Sequence, residues 1–151
     1  MNEIKTEITL EAPVERIWEL LADCSIYPNW NPVIKQASGK LVEGEHLSFV
    51  VALIDSAPFE VNPKVISVEF DKSFCWQQIV YFSGMFNWKY CAGLEVISHE
   101  KLKFIQRFAF GGIVGPLIAL AMKSHVASGL ARMNEAMRRW GEKGNIQCLK
   151  C

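Results

Sequence analysis

No run in this 151-residue chain approaches the ~20 consecutive apolar residues of a membrane-spanning helix. The opening MNEIKTEITLE places Glu3, Glu7 and Glu11 where a secretory leader needs an apolar core. An unexported, cytoplasmic protein is therefore expected. An excess of charge is also missing, since 16 Lys and Arg stand against 16 Asp and Glu. A neutral total argues against nucleic acid as a partner, because phosphate contacts need concentrated cations. The cysteines are five, an odd number, at 24, 75, 91, 148 and 151. They do not suggest a disulfide framework, and Cys24, Cys75 and Cys91 read as small structural residues. The CxxC spacing of Cys148 and Cys151 has no second pair or histidine beside it, so it reads as a flexible tail rather than a zinc site. Ser-His-Asp constellations, HExxH, Gly-rich nucleotide loops and spaced carboxylate pairs are all absent. No metal and no cofactor is expected. Repeats, low-complexity segments and linkers are lacking too, which predicts one domain over residues 1–144 and a tail over 145–151.

The dominant feature that is present is the stretch IVGPLIALAMKSHVASGLARMNEAMRRW, residues 113–140, opened by Gly111 and Gly112 and closed by Gly141. Val114, Ile118, Met122, Val126, Leu130, Met133, Met137 and Trp140 recur in steps of three and four, the period of one helix face. Lys123, Ser124, Arg132, Glu135, Arg138 and Arg139 form its polar face. The arginines near its end suit the negative pole of the helix and solvation. Before it, residues 2–11 alternate as a half-buried strand, and VERIWELLAD follows Pro13 as a short helix. Pro28 and Pro32 then interrupt regular structure around Trp30. Strands are predicted at about 33–39, 46–54, 59–70, 73–82, 87–98 and 100–110, with a tight hairpin at Asp71-Lys72 and a second turn at Ser83-Gly84. Pro63 interrupts its strand and marks an edge or bulge. Short connections favour antiparallel neighbours, and the long helix is the one element able to cover the sheet's apolar face.

Alternation puts Trp88, Tyr90, Ala92, Leu94 and Val96 on one face. Leu102, Phe104, Gln106, Phe108 and Phe110 share a face in the next strand. Trp76, Gln78, Val80 and Phe82 join them, as do Leu47, Phe49, Val51 and Leu53. This surface is aromatic and nearly uncharged, and Gln78 and Gln106 need partners on it. It is either an ordinary packed core or the wall of an elongated apolar cavity. Both have the same periodicity.

The chain resembles the START-like, or Bet v 1-like (SRPBCC), superfamily, and within it the small bacterial polyketide cyclase/dehydrase and coenzyme Q-binding-like proteins. The resemblance runs from about Ile4 to Glu142. It is carried by ITLEAPVERIWELLADCSIYPNWNPVI, with Pro13, Trp18, Asp23, Trp30, Asn31 and Pro32 in place. The blocks GKLVEGEHLSF, FSGMFNWKYCAGLEV, FIQRFAFGGIVGPLIALAM and SGLARMNEAMRRW follow in the family's order. It implies an α+β helix-grip fold: a bent antiparallel sheet of about seven strands around a long C-terminal helix, with two short helices after the first strand. It also implies a tunnel for lipids, quinones, polyketides or other hydrophobic molecules. Many relatives carry Gly-Arg-His or a similar polar group where this sequence has Trp88, Lys89 and Tyr90, which argues against a cyclase mechanism that relies on a polar residue there.

The expected activity is binding of a hydrophobic small molecule rather than turnover. The expected contacts are Trp30, Phe49, Val51, Phe82, Trp88, Tyr90, Phe104, Gln106, Phe108, Met122 and Val126. A polyketide cyclase or dehydratase is the alternative, with Tyr90, Gln106 or His125 as the candidate catalytic groups. A non-catalytic interaction protein with a collapsed cavity is the third. Stable membrane insertion is not expected. Transient membrane contact remains open, through apolar loop residues such as Met85, Phe86, Ile113 and Val114.

Overall fold

The fold is organised by where each strand's apolar side can find cover. The computed structural model describes residues 2–53, 56–82 and 84–143. Its element order is β1 (Asn2–Leu10), α1 (Val14–Ala22), a 3-10 turn (Cys24–Ile26), α2 (Tyr27–Trp30), β2 (Ile34–Ser38), β3 (Ser48–Val51), β4 (Phe59–Val61), β5 (Lys64–Glu69), β6 (Ser73–Val80), β7 (Phe86–Ser98), β8 (Lys101–Gly111) and α3 (Gly115–Lys143). Five strands form one antiparallel sheet in the order β1-β8-β7-β6-β5, and three form a second in the order β2-β3-β4. This is the α+β helix-grip architecture that the resemblance implies.

Eight strands appear among the described residues because the stretch 59–70 divides at Pro63. Proline has no N–H to donate to a ladder. The chain uses that gap to leave one sheet and enter the other. The buried Pro63 instead gives its carbonyl to the Leu47 N–H at 2.8 Å, and Gly44 and Val65 N–H groups donate across the same seam at 2.8 Å each. The two sheets are thus hydrogen-bonded into one bent wall.

Helix α1 starts at Pro13, whose carbonyl accepts the Arg16 and Ile17 N–H groups. Asp23 then caps the 3-10 turn by accepting the Ser25 N–H at 3.0 Å, the usual work of an N-cap carboxylate. Trp30 in α2 is buried and packs edge-on against Tyr27, with ring centroids 5.8 Å apart. It closes a core edge.

At the other end, Gly112 has φ 88°, and a Cβ there would lie 2.6 Å from the Met85 carbonyl oxygen. Only glycine fits this reversal from β8 into α3. Helix α3 runs for 29 residues, about 43 Å at the helical rise. Two arginines from its expected polar face are not simply solvated. Arg132 donates to the Ala52 carbonyl at 3.3 Å, and Arg138 to the Thr9 carbonyl at 3.2 Å. They clip the helix to the small sheet and to β1.

One pairing departs from the sequence reading. Cys75 and Cys91 form a disulfide between β6 and β7. They are register partners, each flanked by residues of the concave face, so both point outward from the same spot. Sequence spacing carries no register, and so their meeting was not visible beforehand. Cys24 is buried as a free thiol. Cys148 and Cys151 lie outside the described residues.

An apolar cavity between the sheet and the long helix

Each long strand crosses the molecule from a packed half to an open half. In β8, Leu102 and Phe104 are buried among the core residues, and Gln106 marks the middle. Phe108 and Phe110 then line a cavity of about 420 Å³. In β7 the sequence is Leu94 and Ala92 in the core, Tyr90 at the boundary, and Trp88 and Phe86 in the cavity wall. Strand β6 repeats this with Phe74 in the core, Trp76 at the boundary, and Gln78 and Val80 beyond. Packed core and cavity therefore coexist on one face. Helix α3 supplies the opposite wall with Ile118, Met122, Val126 and Met133, spaced to share one side. The small sheet closes the flank with Phe49, Val51, Phe59 and Val61.

The wall is aromatic and tightly ordered. Trp88 and Phe108 stack with centroids 5.5 Å apart and planes 8° from parallel. Trp76 lies 5.1 Å from Tyr90 and 5.2 Å from Phe49. Such ring pairs add roughly 0.5–1.5 kcal/mol beyond their buried area. Gly129 also lines the cavity, and a Cβ there would lie 3.1 Å from a Leu53 methyl. A glycine inside a helix costs about 1 kcal/mol relative to alanine, and here it lets the Leu53 and Val33 side chains approach α3 closely.

Polar groups are few. The Tyr90 hydroxyl donates to Gln106 Oε1 at 2.6 Å, and Gln106 Nε2 donates to Asn134 Oδ1 at 2.8 Å and to the Leu130 carbonyl at 3.2 Å. This buried chain ties the middle of the sheet to the middle of α3 behind the wall. Burial also holds the Tyr90 phenol well above its ordinary pKa. Its proton is committed to Gln106, so it is a poor proton donor near neutrality. Gln78 lines the cavity, and its Oε1 accepts the Asn62 N–H at 2.9 Å. Glu60 stands exposed at the rim.

Of the eleven contacts expected from sequence, Phe49, Val51, Trp88, Tyr90, Phe108, Met122 and Val126 line this space. The other four do not. Trp30 is part of the core edge already described. Phe104 faces the packed half, paired with Ile8 and Leu94. Gln106 is wholly buried behind Tyr90. Phe82 turns to solvent because β6 ends at Val80 and Tyr81 adopts φ 70°, which breaks the alternation. His125 is half-buried on the flank of α3 and does not line the cavity. His125 thus stands apart from the hydrogen-bonded pair Tyr90 and Gln106.

Several lining residues escaped the sequence reading. Phe59 and Val61 were hidden by the assumption of one continuous strand across Pro63. Gly129 carried a signal, a glycine inside a helical stripe, that periodicity does not interpret. Among the described residues no group of three or more His, Cys, Asp or Glu is placed to hold a metal ion. No helix among them is long and apolar enough to cross a membrane. A second groove, of about 630 Å³, lies between α1 and the turns after β2 and β5. It carries Glu15, Glu19, Asp23 and Asp71, so it lacks the apolar character of the first.

The family model for polyketide cyclase / dehydrase and lipid transport matches residues 1–139. The chain belongs to that family. No curated protein matches the sequence significantly. Among solved structures, the di-domain ARO/CYC protein BexL shares 16% identity at a TM-score of 0.71 over 91% of this chain. This chain spans 46% of that longer one. A START superfamily protein from Mycobacterium smegmatis shares 17% identity over 93% of this chain and 97% of its own, at a TM-score of 0.70. An aromatase/cyclase from Streptomyces shares 14% over 91% and 94%, at 0.63. At these identities the likeness shows the fold. The family comprises ligand-binding members of the SRPBCC type, and this chain has their helix-grip frame.

Proposed function

We propose that this protein binds a hydrophobic small molecule, such as a lipid, a quinone or a polyketide-like compound, between α3 and the concave sheet, without turning it over. One observation carries the reading. The cavity wall is almost wholly apolar, and its innermost hydroxyl, on Tyr90, is spent on Gln106. A site of this size, within the roughly 300–1,000 Å³ typical of ligand pockets, recognises shape and apolar surface when it offers so few directional groups. Gln78 and Glu60, toward the rim, are the places for a ligand's polar end. Transfer of apolar surface from water supplies the affinity, at about 25 cal/mol per Å².

The test is native mass spectrometry of freshly purified protein, with the released small molecules identified separately, alongside titration with an environment-sensitive apolar dye. A stoichiometric apolar adduct, or micromolar dye binding that Trp88→Ala weakens about tenfold or more, is the expected result. Absence of both would leave the cavity without a ligand and sink the reading.

A cyclase or dehydratase is the second reading, favoured by family membership and by the likeness to the Streptomyces aromatase/cyclase. It requires Tyr90, Gln106 or His125 to act in turnover. Under it, Tyr90→Phe would lower kcat on a polyketide-like substrate far more than it changes affinity. Under the binding reading, Tyr90→Phe leaves dye affinity within about threefold, and no product forms.

A further inference from the structure

The few polar groups on the cavity wall are of unequal kinds. Among the described residues the wall holds one amide, Gln78, one carboxylate, Glu60, and no lysine, arginine or histidine. Gln78 in β6 is the register partner of Trp88 in β7, so the amide and that indole share the concave face. Such cross-strand neighbours stand about 5 Å apart at Cβ. The Asn62 N–H fixes which way the amide turns. A backbone N–H can only donate, so the amide oxygen must face it, and Gln78 Oε1 accepts this bond at 2.9 Å. Asn62 precedes Pro63 in the crossover by which the chain passes from the small sheet to the large one. The crossover therefore holds Oε1 and leaves Nε2 to donate to whatever fills the cavity. Tyr90 differs, because its hydroxyl is already spent on Gln106. Trp76 and Trp88 in the same wall carry indole N–H groups, which also donate and never accept.

From this arrangement we infer that Gln78 Nε2 is the hydrogen-bond donor for a carbonyl oxygen of an uncharged ligand, and that the cavity rejects apolar molecules ending in a carboxylate. The inference rests on the binding reading above and narrows it. A ligand lying against Trp88 has Gln78 beside it, since the two are register partners. An ionised carboxylate in the same place loses its water and gains no cation, and burying an unpaired charge is costly. Arg132 on α3 does not answer it, because it does not line the cavity and its guanidinium donates to the Ala52 carbonyl at 3.3 Å. Glu60, exposed at the rim, adds repulsion between like charges. An ionised fatty acid is therefore a poor occupant, and a neutral carbonyl compound of the same bulk a good one.

Acetylnaphthalene, ethylnaphthalene and naphthoate, substituted at the same ring position and nearly equal in size, test this by competition against the environment-sensitive apolar dye near neutral pH. The ketone is expected to displace the dye at about threefold to tenfold lower concentration than the hydrocarbon, the range of one hydrogen bond. The carboxylate is expected to bind about tenfold or more weakly than the ketone. Gln78→Met keeps the length and apolar bulk without the donor, and should erase the difference between ketone and hydrocarbon. Gln78→Glu keeps an oxygen for the Asn62 N–H while removing the donor, and should erase it too. Glu60→Lys should raise naphthoate relative to the ketone by about threefold or more. Each readout is a ratio within one variant, so a general loss of cavity binding cancels. A ketone that binds no better than the hydrocarbon overturns the assignment and leaves the cavity reading standing. So does a naphthoate that matches the ketone, or a Gln78→Met variant that keeps the ketone preference. A protein that binds neither the dye nor any of the three compounds sinks both.

Discussion

Removing the Gln106 side chain offers a sharp test of how the sheet is held to α3. Gln106→Leu keeps the approximate volume but strands two buried groups, the Tyr90 hydroxyl and Asn134 Oδ1. The Leu130 carbonyl keeps the backbone partner that mid-helix carbonyls have. Each stranded group costs about 1–3 kcal/mol, so the variant should be destabilised by about 4 kcal/mol. Tyr90→Phe alone leaves only Gln106 Oε1 without its donor and should cost about 1–2 kcal/mol. The double variant Tyr90→Phe/Gln106→Leu removes both ends of the shortest bond and leaves only Asn134 stranded. It should be more stable than Gln106→Leu alone by about 1–2 kcal/mol. Urea unfolding followed by tryptophan fluorescence reads this directly, because at an m-value of about 1–3 kcal/mol/M the difference moves the midpoint by roughly 0.3–2 M. A double variant destabilised by the sum of the two single changes would refute the reasoning, since it would mean that the side chains do not meet.

Three further outcomes are expected. Gly129→Leu should keep the fold at a net cost of about 1–2 kcal/mol, since a gain in helix propensity of up to about 1 kcal/mol is outweighed by crowding of the Leu53 methyl, 3.1 Å from the new Cβ, while dye affinity falls about tenfold or more because the side chain occupies cavity space; unchanged affinity would place the ligand elsewhere. Burial pushes the Cys24 thiol from 9.0 up to about 11. Its contribution to stability is therefore complete below about pH 9 and is lost as pH rises toward 11, by about 3 kcal/mol in all; Cys24→Ala should flatten that part of the stability–pH profile measured by urea unfolding. The Cys75–Cys91 disulfide closes a loop with a sequence separation of 16, worth about 3 kcal/mol by chain entropy. Reductant should lower the thermal midpoint of the wild type and leave Cys75→Ala/Cys91→Ala unmoved; free thiols in unreduced protein, titrated after denaturation, would contradict the pairing.

The element types were legible in the sequence because they follow from local periodicity. Steps of three and four from Ile118 to Trp140 can suit only a helix face, and the two-residue alternation through Trp88 to Leu94 and through Leu102 to Phe110 can suit only strands. The order of motifs from Pro13 and Trp18 to the terminal helix then indicated how those elements are assembled. Seven of the eleven residues expected at a ligand line the cavity for the same reason, since they belong to the correct face.

The tertiary structure alone decided how far the facing layers stand apart. Phe104 and Phe108 occupy equivalent positions in the alternation, yet one is core and the other is cavity wall, because the layer facing them packs tightly at one end of β8 and stands off at the other. Register decided the rest. It brought Cys75 to Cys91 and Tyr90 to Gln106, pairings separated by 16 residues each. The left-handed backbone at Tyr81 turned Phe82 out of its face, and Pro63 moved Phe59 and Val61 into the other sheet. Periodicity reports which side of an element avoids water. It carries no information about the distance to whatever covers that side, and that distance separates a core from a cavity.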